Sequence, residues 1–242
     1  GGAFAFSPDG SRVVLSTPTS VAMLNADGSG RRTVVTFAPV NTASEYAYYP
    51  QPVWMPDGAY ALIAISSPEP FGPPEEAGAD LWRLPLEGDA VRMATLVGRF
   101  LFNTMADRLW SAERTRIAYT VPVGGDGDEV ELRLAAGDGS GSAVYDRGQL
   151  EFTAWAPRGE RFVYQDIGTS ALWLGEPGVA PRALLSPAGD DRVVDVQWVG
   201  DEALVCVVVH EGAYEILRVS LTGETRLLDT VSGSFPSLDA LP

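Results

Sequence analysis

Apolar residues in this chain come in short runs broken by Gly, Pro, Asp and Ser, with no sustained 3.6-residue period. Runs of that length rich in Val, Ile, Leu and aromatic residues predict β-strands, and the missing helical period predicts almost no helix. The runs also repeat. Five segments pair an aromatic-ended strand with a turn: Phe4 to Gly10, Val53 to Gly58, Leu109 to Arg114, Ala154 to Gly159 and Gln197 to Glu202. Their aromatic residues, Phe6, Trp54, Trp110, Trp155 and Trp198, lie 48, 56, 45 and 43 residues apart. A second, apolar strand follows each turn, as in Val13-Val14-Leu15, Ala61 to Ile65, Ile117-Ala118-Tyr119, Phe162-Val163-Tyr164 and Leu204 to Val208. A third strand comes next (Val21–Leu24, Asp80–Leu84, Glu131–Leu134, Ala171–Leu174, Glu215–Val219), then a Gly-containing turn and a fourth strand.

Four strands per unit at a spacing near 40–50 residues is the signature of a β-propeller, whose sheets are apolar on both faces and stack on their neighbours. The expected fold is therefore all-β: a propeller of about five four-stranded antiparallel blades, with six as the alternative. The blades run approximately over residues 1–40, 48–98, 105–147, 150–187 and 191–231, in one domain spanning 1–242. Residues 232–242 either close the ring or begin a further blade. The five aromatic rings are expected to pack between blades, with Trp54, Trp155 and Trp198 interior.

Composition narrows the function more than the fold. Acidic residues outnumber basic ones by 32 to 17, a formal charge of −15, and every basic residue is Arg. A field of that sign repels phosphate backbones, which argues against nucleic acid as a partner. No stretch approaches the ~20 apolar residues of a membrane-spanning helix. The single cysteine, Cys206, lies in an apolar run and reads as a small core residue, and no intrachain disulfide is available. The chain opens Gly1-Gly2-Ala3 without an initiator Met, as expected if an upstream segment was removed.

The irregular residues concentrate in the loops after the second strands and in the entries to the blades. These carry Glu45, Glu69, Glu75, Glu76, Asp80, Asp126, Asp128, Glu129, Asp166 and Glu211, expected on one rim. Two readings stand side by side. In one, the carboxylates converge on a hard cation such as Ca²⁺, with Asp126, Asp128 and Glu129 as candidate ligands, or on a basic partner. In the other, they are separately solvated charges that keep Gly/Pro-rich loops soluble. Tyr46, Tyr48 and Tyr49, with Phe71 and the acidic Glu75 and Glu76, form a candidate partner-binding patch, since Tyr and Phe are favoured in interface cores. The alternative tucks the tyrosines into a junction between blades. His210, the lone histidine, reads as a loop residue, and no strained Gly-x-Ser-x-Gly elbow occurs.

The run Phe6-Ser7-Pro8-Asp9-Gly10, an apolar strand, and a further strand leading to Asp27-Gly28-Ser29-Gly30-Arg31-Arg32 resemble the TolB-like propeller repeat. Trp54 to Gly58 match nearly as well, and Trp155 to Gly159 keep the aromatic, Pro and Gly but have Arg158 where Asp is expected. At Trp110 and Trp198 only the aromatic and the rhythm persist. The resemblance implies a non-enzymatic protein-interaction module in the periplasm or outside the cell. No cofactor is expected to be required, and the loop carboxylates leave Ca²⁺ as a candidate. Related propellers also stand beside serine-peptidase domains. The competing expectation is a carboxylate-based enzyme, glycosidase-like or a Ca²⁺-dependent hydrolase, with its site at the channel mouth.

Overall fold

Four of the five expected pairings of an aromatic-ended strand with an apolar strand are present in the computed structural model, which describes residues 2–73, 76–98, 106–123 and 129–233. The first sheet is β1 (Ala3–Phe6), β2 (Arg12–Ser16), β3 (Ser20–Asn25) and β4 (Arg32–Thr36), paired in that order and antiparallel. The second is β5 (Pro52–Trp54), β6 (Tyr60–Ser66), β7 (Gly78–Pro85) and β8 (Val91–Val97), in the same order. A four-residue helix, α1 (Ala106–Leu109), precedes the third sheet. That sheet holds three strands, β9 (Arg116–Pro122), β10 (Val130–Ala136) and β11 (Ala143–Gly148). The fourth sheet is β12 (Leu150–Trp155), β13 (Phe162–Asp166), β14 (Ala171–Glu176) and β15 (Val179–Leu185). The fifth is β16 (Arg192–Val199), β17 (Ala203–His210), β18 (Ala213–Ser220) and β19 (Thr225–Ser232).

Four sheets thus have the expected four strands. The third departs: its first strand is reduced to a single bridge between Trp110 and Ile117. α1 occupies the described residues just before that bridge.

The repeat is visible in its hydrogen bonds. The amides of Ser7, Met55, Ser111 and Ala156 donate to the carbonyls of Arg12, Tyr60, Arg116 and Arg161, five residues on in every case. Gly10, Gly58 and Arg114 close the turns by donating back to Ser7, Met55 and Ser111. Gly58 has φ 72°, a conformation that glycine adopts without a Cβ clash. Arg114 holds φ 61° at the corresponding place. Its guanidinium Nη1 donates to the Ser111 carbonyl at 2.8 Å and its Nε to the Trp54 carbonyl at 3.4 Å, which helps offset that strain. The Ser-Pro-Asp-Gly motif is structural: Asp9 Oδ1 accepts from Ser7 Oγ (2.6 Å), Ser11 Oγ (2.8 Å) and the Ser11 amide (3.0 Å). The hydrogen bond from Ser7, then those from Ser11, lower the Asp9 pKa to about 2.

The chain divides into two compact units. The first comprises residues 1–122 and 133–143. It has two apolar clusters. In one, Val14, Val21, Met23 and Val35 of the first sheet meet Trp54, Ile63, Ile65 and Leu84 of the second. In the other, Leu62, Leu81 and Leu96 meet Trp110, Ile117 and Tyr119. Two indole N–H groups find carbonyls: Trp54 Nε1 donates to Ala5 at 3.1 Å and Trp110 Nε1 to Gly137 at 2.9 Å.

The second unit comprises residues 123–132 and 144–242. Its core joins Val163, Leu172 and Leu184 of the fourth sheet to Trp198, Leu204, Cys206 and Val208 of the fifth. Beside it, the rings of Tyr145, Phe152, Trp155, Phe162 and Tyr164 pack at centroid distances of 5.1–6.2 Å. Cys206 is fully buried, and burial pushes its thiol up to about 12, as fits a core residue.

Trp54, Trp110, Trp155 and Trp198 are all buried, as expected. Phe6 is not. It occupies the same place in its repeat yet is 54 % exposed, and Phe4 beside it is 64 % exposed. Trp54, by contrast, packs on the sheet that precedes it, among Val14, Val21, Met23 and Val35.

Candidate functional site

The segment between the first and second sheets carries the predicted tyrosines. Asn41 fixes it to the β6–β7 loop: its amide donates to the Pro68 carbonyl at 2.8 Å and its Nδ2 to Glu69 Oε2 at 2.9 Å. Thr42 Oγ1 donates to the Tyr46 carbonyl at 2.6 Å, and Ala43 takes φ 53°, so the chain folds into a compact loop rather than running straight. The loop ends where Ser16 Oγ donates to the Pro50 carbonyl at 2.6 Å.

Tyr46, Tyr48 and Tyr49 line one groove of about 670 Å³ with Thr42, Ser44 and Gln51, closed on one side by Gly2 and Ala3. Tyr46 is 75 % exposed. Tyr48 and Tyr49 are half-buried, and Tyr48 Oη reaches the Ala64 carbonyl at 3.4 Å. Tyr48 is thus anchored to the second sheet, while Tyr46 stands in solvent. Phe71 is exposed in the β6–β7 loop and does not line this groove. Glu76 is exposed, while Glu75 lies outside the described residues.

A second cavity, of about 400 Å³, lies where the end of β4 and Phe37 meet β6, β7 and β8. Val35, Phe37, Ile65, Trp82 and Val97 form its apolar walls, and Asp80, Thr95 and Glu76 its polar ones. Asp80 Oδ1 accepts from Thr95 Oγ1 at 2.6 Å, and its Oδ2 lies 3.5 Å from Arg92 Nη1.

The remaining acidic candidates do separate work. Asp166 Oδ1 accepts from the amides of Gly168 and Thr169 and so shapes its own turn. Glu211 sits in the β17–β18 turn at φ 47°. Glu129 is exposed and its carbonyl accepts from the Val123 amide; Asp126 and Asp128 lie outside the described residues. Among the described residues, no three acidic, His or Cys side chains gather closely enough to hold a metal ion.

His210 is the last residue of β17 rather than a loop residue. Its Nδ1 lies 3.0 Å from both oxygens of Asp191, and that contact raises the imidazole pKa. Tyr164 Oη donates to Asp146 Oδ2 at 2.5 Å, and burial, then this bond, push the phenol pKa up.

No family model matches the chain, and no curated protein matches it. Solved structures do. One of two prolyl endopeptidases aligns over 98 % of this chain at 14 % identity and TM-score 0.57, covering 35 % of the peptidase. A puromycin-hydrolyzing peptidase of Mycobacterium tuberculosis aligns over 93 % of this chain at 17 % identity and TM-score 0.55, covering 37 % of the peptidase. A putative TolB from Agrobacterium tumefaciens aligns over 96 % of this chain and 81 % of its own length, at 17 % identity and TM-score 0.50. The fold is that of a β-propeller. The propeller chain spans little more than a third of the two peptidases it matches, and most of the TolB. Identities this low carry the fold and no activity. No helix among the described residues is long and apolar enough to cross a membrane.

Sequence reasoning found the tyrosines by their density. It missed Asn41, Thr42 and Gln51, whose polarity is ordinary for a loop. It placed Asp80 both at the start of a third strand and among the acidic loop residues. The face it shares follows from strand parity, since Asp80, Trp82 and Leu84 alternate on one face of β7 and Leu84 is core.

Proposed function

We propose that this protein is a non-enzymatic binding scaffold of TolB-like type. In this reading its five sheets are the blades of one propeller domain over residues 1–242, acting in the periplasm or outside the cell. Its ligand is a protein partner rather than nucleic acid, because a charge of −15 opposes a phosphate backbone. The observation that carries the reading is the tyrosine groove. Tyr46 is three-quarters exposed on a loop tied down at both ends, a rigid aromatic presented to solvent beside hydroxyl and amide groups. Aromatic anchors of this kind dominate binding energy at protein interfaces. The test is comparative capture from envelope extracts by the parent protein and by a Tyr46→Ser/Tyr49→Ser variant. A polypeptide retained only by the parent is the expected result; identical retained sets would remove the groove from the account.

A second reading has its own support. Two peptidases align over almost the whole of this chain while extending far beyond it. The chain would then be the propeller part of a longer hydrolase, to be tested by sequencing the coding region on either side.

A further inference from the structure

We propose that the cleft between the first and second sheets binds an organic cation, a guanidinium or ammonium group carried on an aliphatic stem. The argument begins with register. Ile65, Asp80 and Thr95 are directly paired across β6, β7 and β8, so their side chains share one face of the second sheet. That face packs on the first sheet through Ile63, Ile65 and Leu84, with Trp82 against the same cluster. Asp80 therefore places a carboxylate at a position which the neighbouring register fills with core residues, and its side chain is 32 % exposed.

The carboxylate keeps capacity to accept. Its two oxygens offer about four lone-pair directions. Thr95 Oγ1 takes one, and Arg92 reaches Oδ2 only at 3.5 Å with a side chain that is 59 % exposed. Phe37 and Trp82 supply aromatic walls, Val35 and Val97 aliphatic ones, and Glu76 adds a second carboxylate. A cleft of about 400 Å³ is within the ~300–1,000 Å³ range of small-ligand sites.

This lining selects one chemistry. Apolar walls cannot replace the hydration shell of an inorganic cation. An anion meets two carboxylates in a chain of net charge −15. A purely apolar ligand would cover Asp80 without pairing it, leaving a desolvated charge. An aliphatic stem with a cationic head satisfies both halves of the lining, and aromatic faces favour the cation. The chain has no Lys, and its own competitor for the carboxylate is the Arg92 guanidinium, which reaches Asp80 only at 3.5 Å. The site is separate from the tyrosine groove, and its test does not depend on that groove.

Titration calorimetry with Nα-acetylarginine methylamide and with its neutral citrulline counterpart decides the chemistry on the unaltered protein. The arginine compound is expected to bind at least about tenfold more tightly, the scale of a charge-assisted hydrogen bond. Asp80→Asn should lower arginine binding to the citrulline level, with an unchanged near-ultraviolet circular dichroism spectrum confirming the fold. A short capped peptide whose only charged residue is a central Arg separates the sources. Tighter binding than the single residue identifies a partner's side chain as occupant; equal binding identifies a free cation. Absence of saturable binding, equal affinity for arginine and citrulline, or an unaltered Asp80→Asn variant would each overturn the assignment.

Discussion

Phe6 and Trp54 occupy the same place in two successive repeats, yet truncating them should have very different consequences. Trp54 is 6 % exposed, packed among Val14, Val21, Met23 and Val35, with its Nε1 donating to Ala5. An aromatic side chain of this size buries roughly 200 Å², which at about 25 cal/mol per Å² corresponds to about 5 kcal/mol as an upper bound. Losing the indole hydrogen bond leaves the Ala5 carbonyl one donor short and adds about 1 kcal/mol. Together these cap the cost at about 6 kcal/mol; allowing for apolar surface already buried in the denatured chain, Trp54→Ala should cost about 3–5 kcal/mol, the usual range for large aromatic truncations in cores. Trp54→Phe should recover most of that. Phe6 is 54 % exposed, so Phe6→Ala should cost about 1 kcal/mol or less. The assay is urea unfolding of the three variants and the parent, followed by circular dichroism and comparing midpoints at constant slope. Equal losses for Phe6→Ala and Trp54→Ala would refute the reasoning, because they would mean that the first sheet is covered in solution by something of equal weight.

Further outcomes follow from single contacts. A Cβ at Gly175 would lie 2.3 Å from Phe162 Cζ, and that ring is fixed by Tyr145, Phe152 and Trp155; Gly175→Ala should lower stability by about 1–3 kcal/mol in the same assay. The Asp9 carboxyl should titrate near 2 by NMR, and Ser7→Ala should move it back toward its ordinary 3.8. Because the folded value is depressed, whatever stability Asp9 contributes is present above its ordinary value and is lost as pH falls toward 2. His210 carries the opposite sign: its raised pKa means a contribution present below 6.5 that disappears as pH rises through the folded value, and Asp191→Asn should lower the NMR midpoint. Cys206 should resist alkylation in the native protein at pH 8 and react after unfolding, since it is buried with a thiol pKa near 12.

The repeat was legible because two local signals coincide in it, an aromatic before the turn and a residue suited to positive φ after it. Where both survive, at Phe6–Gly10 and Trp54–Gly58, strand and turn form as read. At Trp110 the second signal is absent from the sequence, yet the turn forms, with Arg114 held in a left-handed conformation by its own hydrogen bonds and by those of the neighbouring repeat. Tertiary contacts there override local preference, which no reading of propensity contains. The exposure of Phe6 was hidden for a related reason: packing depends on which sheet lies opposite, and periodicity treats all repeats alike. At the candidate sites, Tyr46, Tyr48 and Tyr49 were found by residue type, since tyrosine at that density in a loop is uncommon. Their separation from Phe71 was not visible, because the loop's shape rests on Asn41 and Thr42 reaching particular carbonyls. Asp80 was legible both as the start of a third strand and as one of the acidic residues near the loops; pairing it with Ile65 and Thr95 requires the register of three strands.

The claim that the tyrosine groove engages a protein partner is tested most directly by site-specific photo-crosslinking in cells of the source organism. A photoreactive phenylalanine analogue placed at Tyr46 should give a discrete protein adduct. The same analogue at Val179, an exposed residue on the fourth sheet, should not give that adduct. No adduct at Tyr46, or the same adducts from both positions, would contradict the account.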